Sequence, residues 1–159
     1  VDVEELLIRE SVRQTYTDYS TAGDAGRLDD FVLVFAEDAI LEIPPDQSAQ
    51  GRDAIHTMLT AGSRHQPPVA FAGQKAILRH FTTNIHFRSV AADRVETTAY
   101  FCAVTAVGPD HWGRYFDVLV PREGRWLFEH RIAKVEGFQA DGWYQRNLPD
   151  PTSVGPAAG

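Results

Sequence analysis

His80 is the residue of this sequence best suited to proton chemistry. It stands in Arg79-His80-Phe81-Thr82-Thr83-Asn84-Ile85-His86-Phe87, a stretch of strand character. Strict alternation puts His80, Thr82, Asn84 and His86 on one face, and Phe81, Ile85 and Phe87 on the other. A polar strand face is usually just solvated. Turned into a cavity, His80 is instead a general base: imidazole titrates near neutrality, and a positioned base contributes roughly 10²–10⁴-fold to a rate. A carboxylate on the other ring nitrogen would hold the tautomer and stabilise the imidazolium. Asp24, at the break between two helical segments, is the candidate, and its ordinary alternative is to cap the second of those helices.

Other chemistry is thinly represented. Using His80 and His86 for a metal is the rival to a base, but no third ligand stands at a telling spacing and no metal is assigned. Tyr16, Tyr19, Tyr100 and Tyr115 are candidates to offer a phenol to a substrate oxygen, with packing as the usual alternative. Cys102, the sole cysteine, reads as a small buried hydrophobe and excludes an intrachain disulfide. Arg114 is expected to pair with an acid on a neighbouring strand. There is no glycine-rich dinucleotide or phosphate loop, no Cys-x-x-Cys and no His-Glu-x-x-His. The expected chemistry is therefore cofactor-free.

The elements that must position these residues divide the chain in two. Asp2 and Glu5 read as a helix cap and its return partner, with Ile8, Val12, Tyr16 and Tyr19 on one helical face. Gly23 marks a stop, and a second short helix carries Leu28, Phe31, Val32 and Phe35. Residues 39–43 form a strand ended by Pro44-Pro45, and Gly51-Arg52-Asp53 opens a third helix with Ile55, Met58 and Leu59 inward. Residues 62–74 read as a loop. Then come long β-type stretches at 76–87, 95–107, 112–120 and 126–136. They are separated by Ala91-Ala92-Asp93, Gly108-Pro109-Asp110 and Pro121-Arg122-Glu123-Gly124. Breaks this short favour antiparallel neighbours. Helices followed by a meander indicate an α+β fold in which a curved sheet and three helices enclose one pocket.

Composition narrows the partners. The 159 residues, 43% hydrophobic and 23% charged, suit one domain over residues 1–148, with 149–159 a mobile tail. A formal net charge of −7 disfavours nucleic acid and anionic membranes. No apolar run is long enough for a membrane span, and the acidic start is unlike a signal peptide, so a cytoplasmic location is expected.

Several stretches carry a family resemblance. They are Tyr16 through Asp24 to Glu37-Asp38-Ala39, Gly51-Arg52-Asp53-Ala54-Ile55, Arg79-His80-Phe81-Thr82-Thr83-Asn84 and Gly124-Arg125-Trp126-Leu127-Phe128. In order and spacing they resemble the nuclear transport factor 2-like superfamily. The nearest likeness is to its SnoaL-like group, which includes scytalone dehydratase and hexachlorocyclohexane dehydrochlorinase. The resemblance covers about residues 4–136 and implies a cone-shaped α+β barrel. Its His-x-x-x-Asn strand implies His80 as catalytic base with Asn84 near the substrate, and its dyad aspartate implies Asp24. No counterpart of the second pocket histidine of scytalone dehydratase stands out in the sequence.

The expected function is a cofactor-independent lyase, isomerase or cyclase acting on a small apolar metabolite such as a polyketide. The runner-up is epoxide opening through carboxylates such as Asp117 or Glu129. A non-catalytic binding or association domain is the remaining alternative. Trp112 and Trp126 would suit a subunit interface, and the family resemblance implies a homodimer or homotrimer.

Overall fold

The computed structural model describes residues 2–60 and 77–147. The loop expected at 62–74 and the tail from 149 lie outside the described residues. The first helix, α1 (Val3–Asp24), opens on the expected cap: the Glu5 N–H donates to the Asp2 carboxylate at 2.8 Å. Its inward stripe packs into the core, with Val12 and Tyr16 buried and Ile8 and Tyr19 partly so.

The second helix, α2 (Leu28–Val32), is shorter than its spacing predicts. Phe35 begins strand β1 (Phe35–Ile43) instead of ending the helix. The reason is tertiary: the Phe128 N–H donates to the Val34 carbonyl at 2.9 Å, and Phe35 pairs with Phe128. Both Phe31 and Phe35 still reach the core. A short polar strand, β2 (Gln47–Gln50), precedes helix α3 (Arg52–Thr60), whose Ile55 is buried. The polar β2 has none of the apolar alternation by which a strand is recognised.

The second half forms β3 (Leu78–Val90), β4 (Val95–Thr105), β5 (Gly108–Arg122) and β6 (Arg125–Phe138). A four-residue helix, α4 (Trp143–Arg146), follows. The sheet order is β2-β1-β6-β5-β4-β3, with β3 to β6 an antiparallel meander and β1 parallel to β6. The α+β class is as expected, but the sheet is not closed into a barrel: β2 and β3 remain its edges. Helix α1 packs against β3 and β6. Among the described residues no helix is long and apolar enough to cross a membrane.

Irregular registers decide which side chains face inward. The β3–β4 pairing shifts between Thr83 and His86, where Asn84 has φ 53°. A one-residue slip exchanges the two faces. Ile85 and Phe87 therefore pack on the core, Phe87 beneath Arg9 and Arg13 of α1, while His86 is exposed. The expected sharing of one face by His80, Thr82, Asn84 and His86 is thus corrected. Gly108-Pro109-Asp110 is not a break either. The turn is Ala106-Val107, and β5 starts at Gly108, whose φ of +119° suits glycine. A further shift follows Trp112, and at Gly113 a Cβ would lie 2.0 Å from the Lys134 carbonyl oxygen.

Candidate active site

Asp24 is the last residue of α1, and His80 stands near the start of the edge strand β3. The His80 Nδ1 and Asp24 Oδ1 are 2.6 Å apart. The same carboxylate accepts the His80 backbone N–H, at 3.0 and 3.2 Å. A negative charge at a helix C-terminus is opposed by the helix dipole, by about 0.3–1 kcal/mol. Its bonds to His80 offset that cost. Asp24 does not cap α2: Arg27 occupies that position, with no side-chain cap bond. The pair is partly accessible, with 21% of the His80 side chain and 11% of the Asp24 side chain exposed.

His80 lines a cavity of about 230 Å³ between α1, α2, α3, the sheet and α4. Its apolar walls come from Leu28, Phe31, Ile43, Leu59, Leu78, Phe101, Ala133 and Val135. Its polar groups are His80, His111, Ser20, Asn147 and the phenols of Tyr19, Tyr115 and Tyr144, with Trp143 beside them. A 150 Å³ apolar cavity accepts benzene, so this one holds a substituted ring or a small bicycle.

His111 is the functional candidate that sequence reasoning missed. Its ring lies 6.0 Å from that of His80, edge to face. Its Nδ1 is 2.8 Å from Asp110 Oδ2, and both residues are buried. Asp110 also accepts the backbone N–H groups of Trp143 and Tyr144, at 2.5 and 3.0 Å. Trp143 and Tyr144 stack against His111 with centroids 6.0 and 4.7 Å away. One carboxylate thus holds both the second imidazole and the start of α4. Counting inward from Tyr115 by twos reaches Gly113 and His111; reading Gly-Pro-Asp as a break concealed it.

The other site expectations divide. Tyr19 and Tyr115 line the cavity. Burial pushes both phenols above their ordinary pKa, against the opposing pull of Arg131, so they stay protonated donors. Tyr16 is sealed behind them, its hydroxyl bonded to Asp117 and Thr97. Tyr100 lies on the outer sheet face, 52% exposed. Asn84 sits exposed at the β3 bulge, where it accepts the Thr83 hydroxyl at 3.2 Å. These three do not line the cavity, contrary to expectation.

Nor do the carboxylates of the epoxide-opening alternative. Asp117 is fully buried and holds Arg131 and Tyr16; Glu129 pairs with Arg94 at 2.6 Å. His86 faces away from His80, which removes the geometric basis for pairing them on a metal. Arg114 pairs with Glu136 of the neighbouring β6, as expected.

Comparison with known proteins agrees with this architecture. The SnoaL-like domain model matches residues 4–132. No curated protein matches the chain significantly. Among solved structures, a scytalone dehydratase-like protein from Novosphingobium aromaticivorans is 20% identical. It superposes with a TM-score of 0.72 over 86% of this chain and 89% of its own. The hexachlorocyclohexane dehydrochlorinase LinA-type3 from Novosphingobium barchaimii is 17% identical, with a TM-score of 0.70 over 87% and 93%. A protein of unknown function from Mycobacterium tuberculosis is 20% identical, with a TM-score of 0.70 over 87% and 78%. At these identities the likeness establishes the fold.

Proposed function

The chain belongs to the SnoaL-like domain family, and we propose that it is a cofactor-independent lyase or isomerase acting on a small, largely apolar cyclic metabolite. The observation that carries this reading is the His80–Asp24 contact of 2.6 Å, facing an apolar cavity with a second histidine–carboxylate pair beside it. An ionised carboxylate only accepts hydrogen bonds, so Asp24 fixes the proton of His80 on Nδ1. Nε2 then carries the lone pair and abstracts a proton from a substrate C–H. Asp24 stabilises the imidazolium that results. The C–H electron pair becomes a carbon–carbon double bond while a leaving group departs, or it is delocalised onto a neighbouring carbonyl.

His111 supplies the complementary step. Its Nδ1 is held by Asp110, and as the imidazolium, which the Asp110 carboxylate stabilises, it gives a proton to a departing hydroxyl or returns one to another carbon. The first course is dehydration; the second is isomerisation, or cyclisation when the carbanion attacks within the molecule. Two neighbours of similar fold are named for eliminations, dehydration and dehydrochlorination, which favours the first.

The test is turnover of a panel of cyclic β-hydroxyketones and chlorinated cyclohexanes by the purified chain, with no added metal or cofactor. At least one should lose water or hydrogen chloride, and His80→Ala should lower the rate by about 10²–10⁴-fold. Ligands bound without conversion would leave a binding domain in its place.

We also assign the outer sheet face to a second copy of the chain. Phe81, Tyr100 and Trp112 are exposed there, with Phe81, Cys102 and Trp112 in one cross-strand row. Light scattering should give a dimer or trimer that Trp112→Glu dissociates; a monomeric wild type overturns this.

A further inference from the structure

Behind the cavity lies a charged pair that the proton-transfer steps do not use. Arg131 is fully buried on β6 and donates through Nε and Nη2 to the Asp117 carboxylate, at 2.7 and 2.8 Å. Among the described residues its Nη1 has no hydrogen-bond partner. Replacing a buried ion pair by apolar side chains is often neutral or stabilising, so stability alone does not explain this one. What surrounds the guanidinium is more telling. Its central carbon lies 4.1 Å from the ring centres of both Tyr19 and Tyr115, the two phenols, one on α1 and one on β5, that also line the cavity.

A cation on the face of a phenol draws electron density from the ring and strengthens its O–H as a donor, most of all where water is excluded. Asp117, held by both Arg131 and Tyr16, keeps the guanidinium in place. Resting on the carbon-acid reading above, we propose that Arg131 is a positioning residue. Held by Asp117, it makes Tyr19 and Tyr115 an oxyanion-binding floor for a substrate oxygen that becomes negative as His80 removes the proton. Arg131 itself does not touch the ligand. The substrate class narrows accordingly: the acidic C–H lies beside a carbonyl, or conjugated to one, so that an enolate or phenolate oxygen forms. A chlorinated hydrocarbon, with no oxygen, leaves the floor unused.

The test needs binding only, with 4-nitrophenol as probe, since its spectrum distinguishes phenol from phenolate. The wild type should prefer the phenolate. The double variant Arg131→Met/Asp117→Leu, with its fold checked by circular dichroism and neutral-phenol affinity, should lose about tenfold of that preference. Asp117→Asn acts in the opposite direction: it leaves the guanidinium uncompensated, and phenolate preference should rise. A folded double variant with unchanged preference, an Asp117→Asn protein with no rise, or no binding of either form by the wild type would each overturn the inference. If His80→Ala abolishes turnover while these preferences do not move, the inference fails and the acid–base reading stands. If the preferences move but no substrate is turned over, the reverse holds.

Discussion

Two of the pairs in this molecule that join a carboxylate to a nitrogen base behave as opposites. Asp24 and His80 meet at 2.6 Å at the end of α1, where both are partly accessible. Asp117 and Arg131 meet at 2.7 Å in the core, with neither side chain exposed. Burial pulls the guanidinium towards neutrality, but the Asp117 charge and hydrogen bonds more than reverse that, so Arg131 stays charged. Imidazole can give up and regain a proton at working pH; guanidinium cannot. In the proposed function the same geometry would serve proton transfer at the cavity and fixed electrostatics behind it. Access and the choice of base separate the two.

Substitutions can break this contrast. His80→Ala should cost about 10²–10⁴-fold in kcat/KM and leave the melting temperature within a few degrees, as steady-state kinetics and thermal melts would show. Asp117→Ala should instead destabilise the fold by about 3–5 kcal/mol in urea titration, because it strands a buried charge. Equal effects of the two substitutions on stability would erase the distinction. Alkaline unfolding sharpens it further. Tyr16, Tyr19 and Tyr115, which pack around Arg131, have phenols pushed up by burial, with the Asp117 charge adding to the shift at Tyr16. Unfolded tyrosine titrates near 10, so the unfolded chain releases these protons first. The stability they contribute is complete below about pH 10. It falls above that pH, by up to about 1.4 kcal/mol per phenol per pH unit, until the folded-state phenols also ionise. Urea melts at pH 8 and pH 11 measure this.

Smaller effects test the edges of the site. Asp110→Asn keeps an acceptor for the α4 backbone but presents an amide to His111, which favours the wrong tautomer. About 10–100-fold should be lost from kcat/KM, against little change in the melting temperature. Asn84→Gly removes a side chain that does not line the cavity, at a positive φ that glycine adopts freely. KM should stay within about twofold and stability within about 1 kcal/mol.

What the sequence made legible follows local physics. The capped α1, its Val12–Tyr16 stripe and the meander come from spacing within single elements. Residue type, a break between helices and family likeness single out Asp24 and His80, although they lie far apart in the chain. What stayed hidden depends on register. The bulge at Asn84 swapped His86 for Ile85 and Phe87 on the inner face. Gly108-Pro109-Asp110 carries every mark of a turn, yet pairing with β4 draws Gly108 and Pro109 into β5 and places His111 opposite His80. Tyr16 and Tyr19 share one helical face, but which of them meets the cavity is set by Asp117 and Arg131, on strands distant in sequence. Helix α4 has no side-chain cap to announce it; Asp110 anchors it from β5.

Solvent exchange isolates the role of His80, since it needs only C–H abstraction and no completed reaction. Cyclic ketones incubated with the chain in deuterium oxide should gain deuterium beside the carbonyl, followed by NMR, and His80→Ala should lose that exchange by about 10²-fold or more. Exchange that persists undiminished in His80→Ala, or none with the wild type, would contradict the assignment of His80 as the base.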